Sequence, residues 1–436
     1  MDAGTDQRRG WCPSLWTPME SGDGLIVRLR AGARGIHASH VRALAQLAEQ
    51  YGNGQIELTR RSNIQLRGIW PGTLIDLQSS LVELGLVEES PELEARLALL
   101  VDPRSGLDAE CARLEPLAGA LETALRSAEP AGFALPPKFG IVLDGSGALT
   151  RVAADIRLES RPSAPELVFV SMERRADEAQ RERGDNSRSR LDLGTCHAAD
   201  APALVLQLMA ALDPAVAPSD PENRDESLRA IMVPFLRETP RLPFAPLWAS
   251  RPWIGFHPGR TGWFGLGVPF GAADPEQWRV LAQLAERFGD GELRVTPWRG
   301  VILAGVPSTH ASALGVQARA AGLITDPTDA LLRVVACVGA PACQSGHGET
   351  RALARSLSDA ALPMIDQHTT LHVSGCSKSC AFSGAAAITL VHGPDGCKLG
   401  FGVDAAHAAL GPALSLEQAH AQLKSRARAS HERVAP

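Results

Sequence analysis

The chain has 436 residues, 44% of them apolar, enough to bury two or more cores, so two to four domains are expected. Its 43 basic and 49 acidic residues leave a net charge of −6, which makes no general case for nucleic acid or an anionic membrane surface as partner. The first residues have no apolar stretch of the kind a signal peptide needs, and no run of eighteen apolar residues occurs, so a cytoplasmic chain that spans no membrane is expected.

An internal repeat organises the order of elements. Residues 44–59 (LAQLAEQYGNGQIELT) and 281–296 (LAQLAERFGDGELRVT) are identical at nine of sixteen positions with a constant offset of 237. Each copy is expected to run strand, amphipathic helix, Gly-x-Gly turn, strand. An offset this large means a duplicated half, not a solenoid. Between the copies, the spacing predicts a helix near 109–127 and two strands joined by a turn at 144–147. The charge-dense stretch 172–190 is expected to be a solvated loop, two helical pieces follow, and the Pro-rich 240–253 is expected to be a linker. Strands are then expected at 331–336 and 369–373, a hairpin across 393–396, and helix from Leu414.

Four cysteines stand out: Cys337 and Cys343 as C-x5-C, then Cys376 and Cys380 as C-x3-C. A short helix starting at Gly375 would put the last two thiols on one face and aim a positive helix end at them. A disulfide framework fits poorly in a long chain without a secretory signal, and structural zinc rarely uses a five-residue spacing. Four cysteines on two strand-end loops suit a cubane iron–sulfur cluster; buried thiols that merely pack are the plain alternative. Cys12, Cys111, Cys196 and Cys397 share no such spacing and are expected to be ordinary thiols.

The charged positions sort by strand alternation. Arg28 and Arg30 should share one face of the first strand, and Arg61, Gln65 and Arg67 one face of the second. In the second copy the matching stretch is Trp298 and Arg299, so one half is basic where the other is apolar. An anionic, partly flat ligand between the halves would use that asymmetry. Only four residues are lysine against 39 arginines, so Lys138 in LPPKFG and Lys378 inside C-x3-C mark places where a compact point charge suits better than a planar fork.

Taken together, the duplicated halves, TRRSNIQLRG, LPPKFG and the two cysteine pairs resemble the nitrite/sulfite reductase family over nearly the whole chain. The resemblance implies an α+β, α/β fold of two ferredoxin-like half-domains (20–92 and 254–326) and two α/β domains (93–240 and 327–428) about a pseudo-twofold. It implies a [4Fe–4S] cluster on Cys337, Cys343, Cys376 and Cys380, with siroheme beside it in the reductases, and it carries Arg28, Arg61 and Lys138 onto their basic substrate-side cluster. Arg61 and Lys138 are the expected catalytic pair; Arg28, Arg30, Gln65, Arg67, Arg299 and Lys378 are expected to bind substrate with them. Two departures matter: Gly140 stands where sulfite reductases carry a second lysine, and the C-x3-C loop reads Ser-Lys-Ser. Those departures are similar to the branch of the family in aerobic cobalamin biosynthesis. That branch implies a monooxygenase taking precorrin-3A and dioxygen, with electrons from an external donor, NADH or a reductase, and with a mononuclear non-haem iron whose ligands among His347, His368, His372 and His392 no pattern selects. A siroheme-dependent reductase and a non-catalytic iron–sulfur carrier or sensor are the alternatives; a monomer is expected.

Overall fold

The computed structural model describes residues 13–31, 35–128, 135, 138–175, 188–213, 220–237, 253–361, 364, 370–382 and 384–432. In each copy of the repeat, apolar residues at helical spacing make one buried stripe. The helices are Ala38–Tyr51, burying Val41, Leu44 and Ala48, and Pro275–Phe288, burying Trp278, Leu281 and Ala285. His37 and Asp274, at the repeat offset, cap the helix starts with side-chain acceptors. Gly54 and Gly291 then turn each chain back with φ of 81° and 86°.

The two halves exchange edge strands. Ile36–His37, from the first copy, pairs with Glu292–Thr296 of the second, and Ala272–Ala273 pairs with Ile56–Leu58 of the first. The sheets therefore run 19–21, 24–30, 63–69, 56–58, 272–273 and 255–257, 263–267, 300–304, 292–296, 36–37. Each sheet is completed by the other half, and both helices pack into one core that contains Val27, Leu44 and Leu66 along with Phe264, Leu281 and Leu303. The repeat was legible in sequence; the exchange was not.

The other two sheets share one order of four strands, and the first carries a fifth. Leu99–Val101, Ile141–Asp144 and Ile156–Arg161 are parallel neighbours, followed by antiparallel Ala164–Arg175 and Arg188–His197. Val334–Ala336, Leu371–Ser374 and Ala386–Gly393 are likewise parallel, followed by antiparallel Gly396–Val403. The hairpin expected at 393–396 is present, with Gly393 opposite Gly396. Among the described residues no helix is long and apolar enough to cross a membrane.

Three local expectations are corrected. The helix expected from 109 starts at Glu115, with Pro116 in its first turn. Strands 141–144 and 156–161 are parallel, not a hairpin, because the Asp144 carboxylate accepts the N–H groups of Ser146, Gly147 and Leu149 and winds the chain into a loop instead of a two-residue turn. The flanks of the charged stretch 172–190 are strands, paired as far as Arg175 opposite Arg188. Their charges alternate outward, Arg190 reaching Glu159 and Ser171, while Val168, Val170 and Met172 enter the core. Residues 176–187, Cys12, His368 and all of the expected linker but Trp253 lie outside the described residues.

At the ends of the first parallel pair sit Asp102 and Asp144, in a buried network with Arg104, Ser146 and Arg157. Burial, and then the Asp102 charge, raise the Asp144 carboxyl to about 7. Between the usual carboxylate range and about 7 the folded chain holds a proton that the unfolded chain has released. This group's contribution to stability therefore falls as pH rises through that window and is level above it. The urea midpoint should drop between pH 5 and pH 8, and Asp144→Asn should flatten that drop; an unchanged slope would remove Asp144 as its source.

Candidate functional site

The cysteine loops grow from the ends of adjacent parallel strands, the place where open α/β sheets present ligand sites. Val334–Ala336 delivers Cys337 and Leu371–Ser374 delivers Gly375 and Cys376. The Gly375 N–H points at the Cys337 sulfur at 3.2 Å, and the Thr350 hydroxyl lies 3.7 Å from that sulfur while donating to the Cys337 carbonyl. Gly339, with φ of 70°, lies so close to Gly348 and Thr350 that a Cβ would meet the Gly348 carbonyl oxygen at 2.2 Å. Gly346 and Gly375 are similarly crowded by backbone. Lys378 donates to Ser345 at 3.0 Å, tying one cysteine loop to the other.

The expected helix at Cys376 is absent. Residues 376–380 form a turn in which Ser379 has φ of 56° and the Ser374 hydroxyl donates to the Cys376 carbonyl, so the two thiols do not share a helix face. The helix end near the thiols belongs instead to Thr350–Ala361, which starts at the residue bonded to Cys337.

The thiols lie close enough for charge on one to reach another. Burial raises Cys376 and Cys380, and the charges of Cys337 and Cys343 push both further; Cys380 also feels Cys376. A cationic polynuclear group is the kind of ligand that would favour thiolates at such a site, one cysteine to each metal. Among the described residues no three His, Cys, Asp or Glu side chains are grouped around one point. Of the candidate histidines, His372 is fully buried with both ring nitrogens lacking a hydrogen-bond partner, and burial, followed by the Arg299 charge, lowers it to about 4. His392 packs its ring against Gly348.

The first half grips the first cysteine loop. Ser21 donates to the Ala342 carbonyl at 2.8 Å, and a Cβ on Gly22 would meet the Pro341 oxygen at the same distance. Arg67, 4% exposed, reaches Asp23 at 3.0 Å, Ser21 at 3.0 Å and the Ala342 carbonyl at 3.2 Å. Its guanidinium is thus a clamp on the residue beside Cys343.

A cavity of about 420 Å³ opens between the first half-sheet and the first α/β sheet. Arg28, Arg30, Arg61 and Lys138 line it, with Asn63 and Phe139; Gln65, Arg67, Arg299 and Lys378 do not. Arg61 precedes the strand it was expected on. Ser62 has φ of 54°, which turns Arg61 out of the strand's alternation, and its guanidinium donates to the carbonyls of Lys138 at 2.9 Å and Ala153 at 3.2 Å. A Cβ at Gly140 would stand 3.0 Å from that guanidinium. The glycine at the departure from the sulfite reductase pattern therefore makes room for Arg61.

Gln65 works one row back. Arg28, Gln65 and Glu57 are cross-strand neighbours, and Arg28 donates to Gln65 at 2.8 Å while Gln65 donates to Glu57 at 2.7 Å. Glu57 also receives Arg351, from the helix beside the cysteines, so an ordered polar row joins the cavity to that helix. Arg30 pairs with Glu94 at 3.4 Å. Sequence reasoning missed Glu57, Arg351 and Thr350; an acid opposite Gln65 in antiparallel register was the one available signal.

Arg299 takes a different place. It sits at the repeat offset from Ser62, with the same left-handed backbone (φ 63°), and donates to the Ala381 carbonyl at 3.1 Å. Burial, then the charges of Arg60 and Arg351, lower it to about 10. Trp298 packs on Trp253, ring centres 5.4 Å apart, and against the cluster of Leu100 and Val142.

Residues 17–84 and 257–315 match the nitrite/sulfite reductase ferredoxin-like half domain. The chain is 31% identical to a precorrin-3B synthase from Sinorhizobium sp, over 91% of this chain and 83% of that protein. It is 25% identical to the ferredoxin–nitrite reductase of Synechococcus elongatus, over 87% and 78%. The structure of Mycobacterium tuberculosis NirA superposes with a TM-score of 0.67 at 17% identity, covering 86% of this chain and 73% of that one, which is a likeness of fold.

Proposed function

Because this chain belongs to the nitrite/sulfite reductase family, in its precorrin-3B synthase branch, we propose that it is the oxidoreductase that hydroxylates precorrin-3A at C20 with dioxygen and closes an acetate side chain as a γ-lactone. The observation that carries the reading is the cavity that gathers Arg28, Arg30, Arg61 and Lys138. Guanidinium forks and one lysine suit the rim of a polycarboxylate tetrapyrrole. Cys337, Cys343, Cys376 and Cys380 hold a [4Fe–4S] cluster, which supplies electrons one at a time when bound.

The chain's own residues bind and orient. Arg28 is aimed by Gln65, which Glu57 holds in turn, so its head is ordered before substrate arrives. Arg61, seated against the Lys138 and Ala153 carbonyls beside Gly140, fixes one end of the cavity, and Lys138 adds a point charge there. Electrons come from an external donor, NADH or a reductase, since no dinucleotide-binding fingerprint occurs in the chain.

Full-length protein purified without oxygen should convert precorrin-3A only when dioxygen and reductant are both present, and should yield no extractable siroheme. Arg61→Ala and Lys138→Ala should each weaken tetrapyrrole binding by roughly tenfold or more, the loss of one or two charge-assisted hydrogen bonds. Stoichiometric siroheme with nitrite reduction would replace this reading with the reductase one, which the likeness to the cyanobacterial nitrite reductase favours.

A further inference from the structure

Arg60 and Arg61 are neighbours in one turn, yet their heads part. Arg61 goes to the cavity, while the Arg60 guanidinium lies over the Phe382 ring, 5.4 Å from its centre. Arg299 donates to the carbonyl of Ala381, and the buried His372 ring lies 5.7 Å from Phe382. Three heads from three separate elements thus converge on the two residues after Cys380. Among the described residues neither Arg60 nor Arg299 forms an ion pair with a carboxylate, and His372 has two unpartnered nitrogens. Glu57, the acid whose charge reaches Arg299, gives its oxygens to Gln65 and Arg351. The result is a pair of guanidinium groups with no direct carboxylate partner among the described residues, Glu57 reaching Arg299 and Asp404 reaching His372 only through their charge, beside an aromatic ring and a buried imidazole.

We propose that Arg60 and Arg299 form a second carboxylate-binding subsite, which takes an acetate or propionate of the same tetrapyrrole whose other rim meets Arg28, Arg61 and Lys138. This rests on the function proposed above and adds the placement of the ring: the macrocycle lies across the 59–62 turn, one edge in the cavity and the other at the loop after Cys380. A cavity of about 420 Å³ is too small to enclose the whole of such a ring with its side chains, so part of it must extend beyond. The left-handed backbone at Ser62 and at Arg299 is what sets the two arginine heads on that side. His372, held neutral by its surroundings, offers a donor and an acceptor without adding charge.

Uroporphyrin, which carries an acetate and a propionate on each pyrrole, is the probe, titrated by fluorescence into the cluster-loaded full-length protein. Arg60→Gln and Arg299→Gln should each raise Kd about tenfold, and Arg61→Gln should do the same independently. Arg60 is exposed, so Arg60→Gln keeps the proposal testable if Arg299→Gln misfolds, which the cluster absorbance would reveal. Arg60→Lys should recover part of the affinity. If Arg61→Gln weakens binding while Arg60→Gln binds like the unaltered protein, the second subsite is wrong and the function above stands. If the unaltered protein binds uroporphyrin and no variant alters the binding, both arginine subsites are wrong; if the unaltered protein does not bind it, the tetrapyrrole reading itself falls.

Discussion

Cys376→Ser should lose most of its iron and sulfide, the broad absorbance of an iron–sulfur centre in the blue, and turnover of precorrin-3A. Serine matches cysteine in size, but its hydroxyl is a far poorer ligand for iron than a thiolate. The loss should spread beyond the ligand. Gly339, Gly346 and Gly375 pack backbone on backbone around the thiols, and the loops meet through a few hydrogen bonds such as Lys378 to Ser345, so a cluster held by both loops would add to their stability. A marked fall in melting temperature is therefore expected along with the lost cluster. Cys397→Ala is the control: Cys397 is buried in the core between Gly396–Val403 and the last helix, at no distance that lets it feel the other thiols. It should keep its cluster. Full iron and sulfide in Cys376→Ser, measured by colorimetric assay, would show that the four cysteines do not form one centre.

Arg67→Ala should destabilise the protein by about 3 kcal/mol, the cost of leaving a largely enclosed acid, Asp23, without its cation. Arg67 is nearly inaccessible and is the cation paired with Asp23 at 3.0 Å, while Glu57 and the Ala342 carbonyl keep other donors, Gln65 and Arg351 for the first and Ser21 for the second. Urea unfolding measures the first effect. The second is kinetic: with the 341–344 loop released from the first half, iron should leave to a chelator several times faster. Uroporphyrin affinity of the folded fraction should hardly change, because Arg67 does not line the cavity. Arg61→Ala should show the opposite pattern, with weak binding and nearly normal iron retention. An Arg67→Ala protein with normal stability and weakened binding would return Arg67 to the substrate-side role that strand alternation alone suggested.

That reversal shows where local pattern stops. Alternation on a strand places side chains on a face; it says nothing of what the neighbouring strand or loop sets opposite. Alternation puts Gln65 and Arg67 on the strand they occupy, but Glu57 and Asp23 determine what they do. Arg61 was placed on the strand, but the positive φ at Ser62 takes it off the alternation. The C-x3-C pair was read at helical spacing, and Ser379 with its left-handed backbone makes it a turn.

The sequence by itself determined the duplication, the cysteine spacing, the strand ends that carry the cysteines, and the basic bias of the first half. All of these are likenesses, periodicities or spacings that can be read along the chain without knowing what packs against it, and elementary geometry converts them to structure. Only the tertiary structure decided the exchange of edge strands between Ile36–His37 and Ala272–Ala273, the parting of Arg60 from Arg61, and the pairing of Arg67 with Asp23 instead of a ligand. Each of those turns on a backbone reversal or on a partner brought from far along the chain. A residue's own neighbours in sequence carry no record of either.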